Sequence, residues 1–356
     1  MLLLPLLFAC TSSNKIQTAT ALPTLQTPTL TTQLPTAIPT NTPPPEITGE
    51  RPEPRSGGLM VYDSDRGVSI LLGGEAEPDI YFDDMWEYDG FEWKKLNVKS
   101  PVGGWSFSNL AYDASRKKTV LFYWANSEFW EFDGISWERV DIPPEISIRW
   151  SVMTYNPVVR RIIIFGEQNE SGIYETWSYD GKNLYRIDRS SPWEDWGWKY
   201  GDNDIHRIIF PSMVYYITNQ ELILQPGLSW TFAMQDYDWH IKVHESESIL
   251  PKQNLGGFPR MVYDQRRDVI VLVEGVIDGK ATSDGWKWFL SDFVVMEYSN
   301  GNWSQVSTEF APTLRNLPAL TYDVSRGVVV LFGGINENDE ELNDVWEYDG
   351  VNWIER

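Results

Sequence analysis

LMVYDSDRGVSILLGG, continuing to DDMWEYDGFEW, occupies residues 59–93, and ALTYDVSRGVVVLFGG, continuing to NDVWEYDGVNW, occupies residues 319–353. Weaker copies fill the chain between these two stretches. Every copy has a tyrosine that ends an apolar run, a dipeptide eleven residues later, an aromatic segment, and a large apolar residue that closes the unit. The tyrosines are Tyr62, Tyr112, Tyr155, Tyr215, Tyr263 and Tyr322, and the closing residues are Trp93, Trp137, Leu184, Trp239, Trp303 and Trp353. Six copies in one internal phase predict six similar structural units.

Each copy is typical of four short strands. Asp-Gly between two aromatic runs, as in WEYDG from Trp86, is a strong signal for a hairpin turn because the turn needs positive φ. The dipeptide, as in Gly73-Gly74, closes the second strand where the backbone bends or passes close to a neighbour. The sequence therefore predicts an all-β chain of six four-stranded units.

The double glycine and the spaced Tyr and Trp of residues 58–356 resemble the kelch repeat. The resemblance is most specific in the first and last copies and weakest in the fourth, where the aromatic segment is reduced to FAMQD from Phe232. It implies a β-propeller with six four-stranded blades around an axis.

The 18 tryptophans fall into two equal groups. Nine occupy repeat positions and are expected to fill the space between blades: Trp86, Trp93, Trp130, Trp137, Trp177, Trp239, Trp303, Trp346 and Trp353. The other nine lie in interblade linkers, at strand ends or in long loops, and the repeat does not explain them. In an up-and-down blade these loops and linkers lie at one end and the short turns at the other, so the variable end is expected to carry the function.

Eight residues of the long loops are the candidate binding residues: Trp193, Trp196, Trp198, Trp286 and Trp288, with Asp195, Asp284 and Asp292 as polar partners. An exposed indole suits the apolar face of a sugar, and carboxylates accept hydrogen bonds from its hydroxyls. The same residues suit a protein partner, because Trp is enriched at interface hot spots. A third reading is that these side chains fold back and plug the loops.

The N-terminal region differs in composition from the rest. An apolar run, Leu2–Phe8, has the length of a signal-peptide core, and Leu7-Phe8-Ala9-Cys10 resembles the bacterial lipoprotein box, which implies lipidation of Cys10. Residues 11–57 hold 12 Thr and 9 Pro, a composition typical of an extended, disordered stalk. We expect a signal peptide at 1–9, a lipidated N-terminus and linker at 10–57, and a propeller at 58–356, anchored in the bacterial cell envelope outside the cytoplasm.

The net charge of −22 belongs to residues 58–356, because the charges of residues 1–57 cancel. Such a surface argues against nucleic acid, whose phosphates need clustered cations. One cysteine and three histidines exclude an intrachain disulfide and argue against a metal centre. We therefore expect no cofactor and a monomer that binds a glycan or an extracellular protein.

The sequence gives weak or no support for four kinds of catalytic or metal site. The copper radical oxidases similar to galactose oxidase need a cysteine in the propeller, and Cys10 lies outside it. His240 and His244 should lie on a strand, about 13 Å apart, too far to share a metal, and NENDEELND (336–344) lacks calcium-loop spacing. The sialidase Asp-box is absent, and no carboxylate-binding triad can be chosen among Arg149, Arg189, Arg207, Arg260 and Arg315.

The sequence therefore predicts non-catalytic binding through the long-loop end. A carbohydrate-active hydrolase or lyase with carboxylates at that end, and a passive extracellular scaffold, remain the alternatives.

Overall fold

The chain divides into residues 1–43 and 44–356. The computed structural model describes residues 49–77, 79–103, 108–142, 147–168, 173–188, 211–225, 231–235, 238–243, 259–282 and 285–356, all within the second unit. The predicted signal peptide, Cys10 and most of the Thr/Pro-rich stalk lie outside these residues. None of the described residues forms a helix long and apolar enough to cross a membrane.

The described chain is all β, and its strands form six four-stranded antiparallel sheets, or blades. Blade one holds β1 (Leu59–Asp63), β2 (Val68–Leu72), β5 (Met85–Tyr88) and β6 (Trp93–Lys95), with the small hairpin β3 (Glu75–Ala76) and β4 (Ile80–Tyr81) inserted. Blade two holds β7 (Ser108–Asp113), β8 (Lys118–Tyr123), β9 (Glu128–Phe132) and β10 (Trp137–Val140). Blade three holds β11 (Ile148–Asn156), β12 (Arg161–Gln168), β13 (Tyr174–Tyr179) and β14 (Leu184–Asp188).

The last three blades follow the same order. Blade four holds β15 (Ser212–Tyr216), β16 (Glu221–Gln225), β17 (Thr231–Gln235) and β18 (Asp238–Val243). Blade five holds β19 (Arg260–Asp264), β20 (Val269–Thr282), β21 (Gly285–Ser299) and β22 (Asn302–Gln305). Blade six holds β23 (Ala319–Asp323), β24 (Val328–Ile335), β25 (Glu341–Tyr348) and β26 (Trp353–Glu355). The six-bladed prediction is confirmed, including the fourth blade, whose sequence motif is the most degraded.

The first strands of consecutive blades contact one another, and β23 of blade six contacts β1 of blade one. The six blades therefore form a closed ring with the first strands innermost. One end of the ring carries the turns between strands one and two and between strands three and four, and we call it the turn end. The opposite end carries the loops between strands two and three and the interblade linkers, and we call it the loop end.

A hydrophobic cluster fills each of the six junctions between neighbouring blades. The repeat-position tryptophans lie in these clusters or against them, and Trp86, Trp93, Trp177, Trp239, Trp303 and Trp353 are buried while Trp130, Trp137 and Trp346 are half-buried. Burying one such side chain contributes about 1.5–3 kcal/mol or more. Their predicted role as interblade packing is confirmed.

An arginine clasp joins neighbouring blades at the turn end. Between blades six and one, Arg326 Nε donates to Asp323 Oδ2 at 2.6 Å, and its Nη1 pairs with Glu347. Tyr88 Oη of blade one donates to Glu347 Oε1 at 3.0 Å. The turn residue Gly90, with φ of 99°, lies against Arg326, so a Cβ there would come within 2.5 Å of the guanidinium carbon. Glycine at this position is thus required twice: for the positive φ of the turn and for the space that the clasp arginine occupies.

The clasp recurs in three other blades, and the bond from a tyrosine hydroxyl to the clasp glutamate recurs in two of them. Its arginines are Arg66, Arg116 and Arg267, its acidic partners are Asp63, Asp113 and Asp264 with Glu87, Glu131 and Glu297, and the rings beneath the guanidinium groups are Phe132, Tyr179 and Tyr348. The turn end is therefore occupied by interactions that hold the ring together.

A buried hydrogen bond between neighbouring blades is made at some junctions and missing at others. Trp239 Nε1 donates to Thr176 Oγ1 at 2.9 Å, and Trp303 Nε1 donates to Thr231 Oγ1 at 2.8 Å. At the junction between blades six and one, Val345 holds the position of these threonines. The buried Nε1 of Trp93 has no partner there among the described residues.

Replacing Val345 by Thr should therefore raise the free energy of unfolding by about 1 kcal/mol, because the hydroxyl gives the indole N–H an acceptor at nearly constant volume. Chemical denaturation followed by tryptophan fluorescence measures the change. Val330→Thr is the matched control, since Val330 is fully buried in the same cluster and the new hydroxyl there should destabilise by roughly 1–3 kcal/mol. Equal destabilisation by both substitutions would contradict the missing-acceptor explanation.

Candidate functional site

The loop end differs from the turn end in the length of its connections. In blade five, β20 and β21 stay paired far beyond the sheet, up to Thr282 opposite Gly285. The part beyond the Gly275–Phe293 pair extends about 20 Å at the usual rise of a strand. We call residues 276–292 the blade-five hairpin, and it is the longest connection that the structure describes at this end.

Three of the eight predicted binding residues lie at described positions of the blade-five hairpin. The backbone pairs Trp286 with Ala281 and Trp288 with Gly279. Positions two apart on a strand share one face of a sheet, so these two tryptophan positions lie on the same face of the hairpin. Asp292 lies at the base of the hairpin opposite Val276, and its exposed carboxylate accepts the Phe293 amide at 2.8 Å.

The other five predicted residues, Trp193, Trp196, Trp198, Asp195 and Asp284, lie outside the described residues. The sequence prediction for them stays a prediction. Two further tryptophans that the repeat left unexplained, Trp124 and Trp150, pack on each other at 5.0 Å between ring centroids at the junction of blades two and three. These two belong to the interblade core.

Two arginines at the loop end form a second set of clasps. Arg55 Nη1 donates to Gly73 O at 3.0 Å and to Asp84 Oδ1 at 2.6 Å, and its Nη2 bonds Asp84 Oδ2 at 3.2 Å. Burial opposes ionisation of Asp84, but hydrogen bonds from Arg55 and Trp86 outweigh it and hold the pKa of that carboxyl below its usual value. The Asp84 carboxylate is therefore ionised and already bonded to Arg55 and Trp86 within the fold.

Arg315 repeats the arrangement of Arg55 in blade six. Its Nη1 donates to Gly333 O at 3.1 Å, and its two terminal nitrogens bond Asp344 at 2.7 and 2.8 Å. Arg315 is one of the arginines that the sequence offers for a ligand carboxylate. In the structure its guanidinium is bonded to Asp344 and Gly333 of the same blade.

The acidic loop of blade six, residues 336–344, is held by hydrogen bonds among its own residues. Asn336 Oδ1 accepts the amides of Asn338 at 2.8 Å and Glu340 at 3.0 Å. Around it, as in the rest of the described chain, no three His, Cys, Asp or Glu side chains cluster in a way that could hold a metal ion. His240 lies exposed on β18, the strand that the sequence predicted, and His244 lies outside the described residues.

Blade five also holds two ionisable side chains that sequence reasoning did not select as site residues. Arg260 begins β19, the innermost strand, and Glu274 lies on β20 just before Gly275. For neither side chain is a hydrogen bond or ion pair described, in contrast to the clasp residues. Both are largely surrounded by protein, and each keeps part of its surface accessible.

Burial alone moves the pKa of these two groups. Removal from water raises the pKa of the Glu274 carboxyl to about 7 and lowers that of the Arg260 guanidinium to about 10. Alternation along β20 puts Glu274 on the face of Leu272, toward blade four, whereas Arg260 pairs with Val273 on the face toward blade six. The two groups thus occupy opposite faces of blade five, both at the loop end.

No protein-family model matches this sequence, and no curated protein matches it. Among solved structures, that of YjhT is similar over 87% of this chain and 100% of its own, with 14% identity and a TM-score of 0.57. A structural-genomics protein of unknown function from Bacteroides thetaiotaomicron is similar over 81% of this chain and 69% of its own, with 11% identity and a TM-score of 0.49. At these identities the likeness to YjhT shows the propeller fold and nothing about function.

Proposed function

We propose that this chain is a kelch-type, lipid-anchored protein of the bacterial cell envelope that binds a glycan, without catalysis, at the loop end of its propeller. The observation that carries the proposal is the blade-five hairpin, which holds two tryptophan positions on one face and extends beyond the sheet. The anchor is Cys10, and the Thr/Pro-rich residues between it and Arg55 serve as the spacer, since Arg55 is itself buried in the fold.

The contrast between the two ends of the ring supports this assignment. The turn end has short turns, and in blades one, two, five and six its arginines and carboxylates pair with one another in the clasps. The loop end keeps the long hairpin, the exposed Asp292, and the two buried ionisable groups of blade five. A blade does not need a hairpin of this length to pack, since the other blades pack with strands of at most nine residues.

Tryptophans near carboxylates suit a sugar better than they suit most small ligands. The ring face stacks on apolar C–H groups, while carboxylates and amides bind the hydroxyls that point sideways. A propeller with such a platform at its loop end would hold a chain of sugars across the opening of the ring.

Replacing Trp286 and Trp288 together by Ala should abolish retention on a polysaccharide array, a loss of at least about 100-fold in affinity, because both stacking surfaces are removed. The protein for this test is the full chain with Cys10→Ser, which prevents lipidation. Thermal stability should change by less than about 1 °C per substitution, since the backbone of both residues lies in the part of the hairpin that extends beyond the sheet.

Phe91→Ala is the matched control, because Phe91 is an exposed aromatic residue, 58% accessible, on a turn-end loop. It should leave retention unchanged. A large loss of stability in the Trp variant would instead identify the two tryptophans as plugs of the hairpin. Absence of retention on every glycan by the parent chain would favour a protein partner or a passive scaffold.

One observation favours catalysis as a second candidate function. A carboxyl with a pKa near 7, as in Glu274, can act as a general acid at neutral pH. A hydrolase or lyase of this kind would need a second carboxylate within about 5–9 Å of the first. Release of new reducing ends from a retained polysaccharide, lost in Glu274→Gln, would establish this alternative over non-catalytic binding.

A further inference from the structure

Arg260 differs from the other buried arginines of the described chain in its surroundings. Arg55 and Arg315 each hold an aspartate with two nitrogens, and Arg326 holds two carboxylates of its own blade. No carboxylate is described beside Arg260. A guanidinium that protein surrounds without a counter-charge is destabilised by the loss of its hydration.

The pKa of the clasp arginines shifts in the opposite direction from the pKa of Arg260. Carboxylate partners outweigh burial and raise the pKa of Arg66, Arg116 and Arg326, whereas burial alone lowers the pKa of Arg260. A carboxylate near Arg260 would shift its pKa in the opposite direction. Among the residues that the structure describes, no carboxylate therefore compensates the positive charge of Arg260.

The position of Arg260 makes it available to a ligand. It is the first residue of an innermost strand and lies at the loop end of the ring, beside the opening around the axis. Its backbone is held on both sides: the next residue, Met261, donates its amide to Ser212 Oγ of blade four at 3.0 Å, and Arg260 itself pairs with Val273 of β20. The backbone of Arg260 is thus fixed close to the base of the blade-five hairpin, and part of the residue's surface stays accessible.

We propose that Arg260 is an anion-binding residue and that the ligand at the loop end carries a carboxylate or sulfate group, as acidic polysaccharides do. The proposal rests on the proposed glycan-binding function and specifies its ligand class. The planar fork of a guanidinium matches the two oxygens of such a group, and a ligand anion would supply the missing counter-charge. In a chain with a net charge of −22, a cation without a described carboxylate partner is a favourable place for an anionic ligand to bind.

The binding test compares oligosaccharides that share one backbone and differ in charge: neutral, uronate-containing and sulfated. In the full chain with Cys10→Ser, Arg260→Gln should weaken binding of the charged ligands by roughly 10- to 100-fold and leave the neutral ligand unchanged. Arg260→Lys should retain part of the affinity, because it keeps the charge and loses the fork. Arg139→Gln, which removes a charge from an exposed residue, is the matched control and should have no effect.

Competition with free glucuronate, inorganic sulfate and inorganic phosphate identifies which anion the residue prefers. Binding of these probes that disappears in Arg260→Gln, in a protein that retains no glycan, would overturn the proposed function and support the anion site. Neutral and charged oligosaccharides bound equally, with no effect of Arg260→Gln, would overturn the anion site and leave glycan binding intact.

A measurement without any ligand tests the uncompensated charge directly. Arg260→Met should raise the midpoint of thermal unfolding, because it replaces an unpaired buried cation by an apolar side chain of similar length. A lowered midpoint would show that the guanidinium has a structural partner, and the proposal would then be wrong.

Discussion

Replacing Glu347 by Ala should lower the free energy of unfolding by about 3–5 kcal/mol, a large part of the stability of a typical domain. Glu347 is 1% accessible and joins three groups at the closure of the ring. It accepts the hydroxyl of Tyr88 from blade one, pairs with Arg326, and accepts Arg356 Nε at 2.7 Å. Its removal leaves two guanidinium groups without their main partner in a poorly hydrated place.

Urea denaturation followed by tryptophan fluorescence measures this loss. Glu355→Ala is the matched control, because Glu355 is an exposed carboxylate on the neighbouring strand β26, and it should change stability by less than about 0.5 kcal/mol. The double variant Glu347→Ala with Tyr88→Phe separates the interblade hydrogen bond from the ion pairs, since coupled residues lose less together than separately. A loss below 1 kcal/mol for Glu347→Ala would contradict the clasp as the closure of the ring.

The fold could be predicted from the sequence because its signals are local and repeated. A turn such as Asp89-Gly90 and the apolar runs beside it lie within a few residues of one another. The strands of each copy can therefore be predicted from the sequence of that copy alone. Blade four forms although its third strand, Thr231–Gln235, lacks the aromatic motif, since the burial of its first four residues and pairing with both neighbouring strands suffice.

The clasps could not be predicted because their partners are distant in the chain. Arg326 and Gly90 are separated by most of the propeller, and only ring closure brings them together. The sequence did contain a trace of the contact: an Asp followed three residues later by Arg, in the same copies that have Glu between Trp or Met and Tyr or Phe. Taken locally, the Asp and Arg three residues apart indicate a turn, and the Glu indicates the exposed face of a strand. Neither pattern by itself indicates that the Arg and the Glu form an ion pair.

The candidate site was only partly accessible to sequence reasoning for the same reason. The long loop of blade five and its tryptophans are visible as an insertion, and the structure adds that Trp286 and Trp288 lie on a paired hairpin. Glu274 stands where blades one and six have the first glycine of the pair, and in the sequence it looks like a degraded copy of that motif. Its burial depends on the packing of blades around it, which no local pattern reports.

Glu274→Gln should stabilise the protein by roughly 3 kcal/mol at pH 8 and have almost no effect at pH 4.5. The folded protein holds the pKa of Glu274 at about 7, above its ordinary value of 4.5, because burial disfavours the charged form. Protonated Glu274 is therefore favourable below pH 4.5, and its contribution is lost as the pH rises through 7. The isosteric amide removes the buried charge and with it this pH dependence.

The measurement is the difference in unfolding free energy between the variant and the parent chain from pH 4.5 to 8, because other carboxyls cancel in that difference. Glu92→Gln, at an exposed turn-end carboxyl, should give a difference near zero across the whole range. A constant difference for Glu274→Gln would mean that the carboxyl is already ionised and paired in the folded protein. A difference that rises between pH 4.5 and 7 and then levels off would show that the loop end of blade five holds a carboxyl able to exchange protons at neutral pH, the property on which a catalytic role would depend.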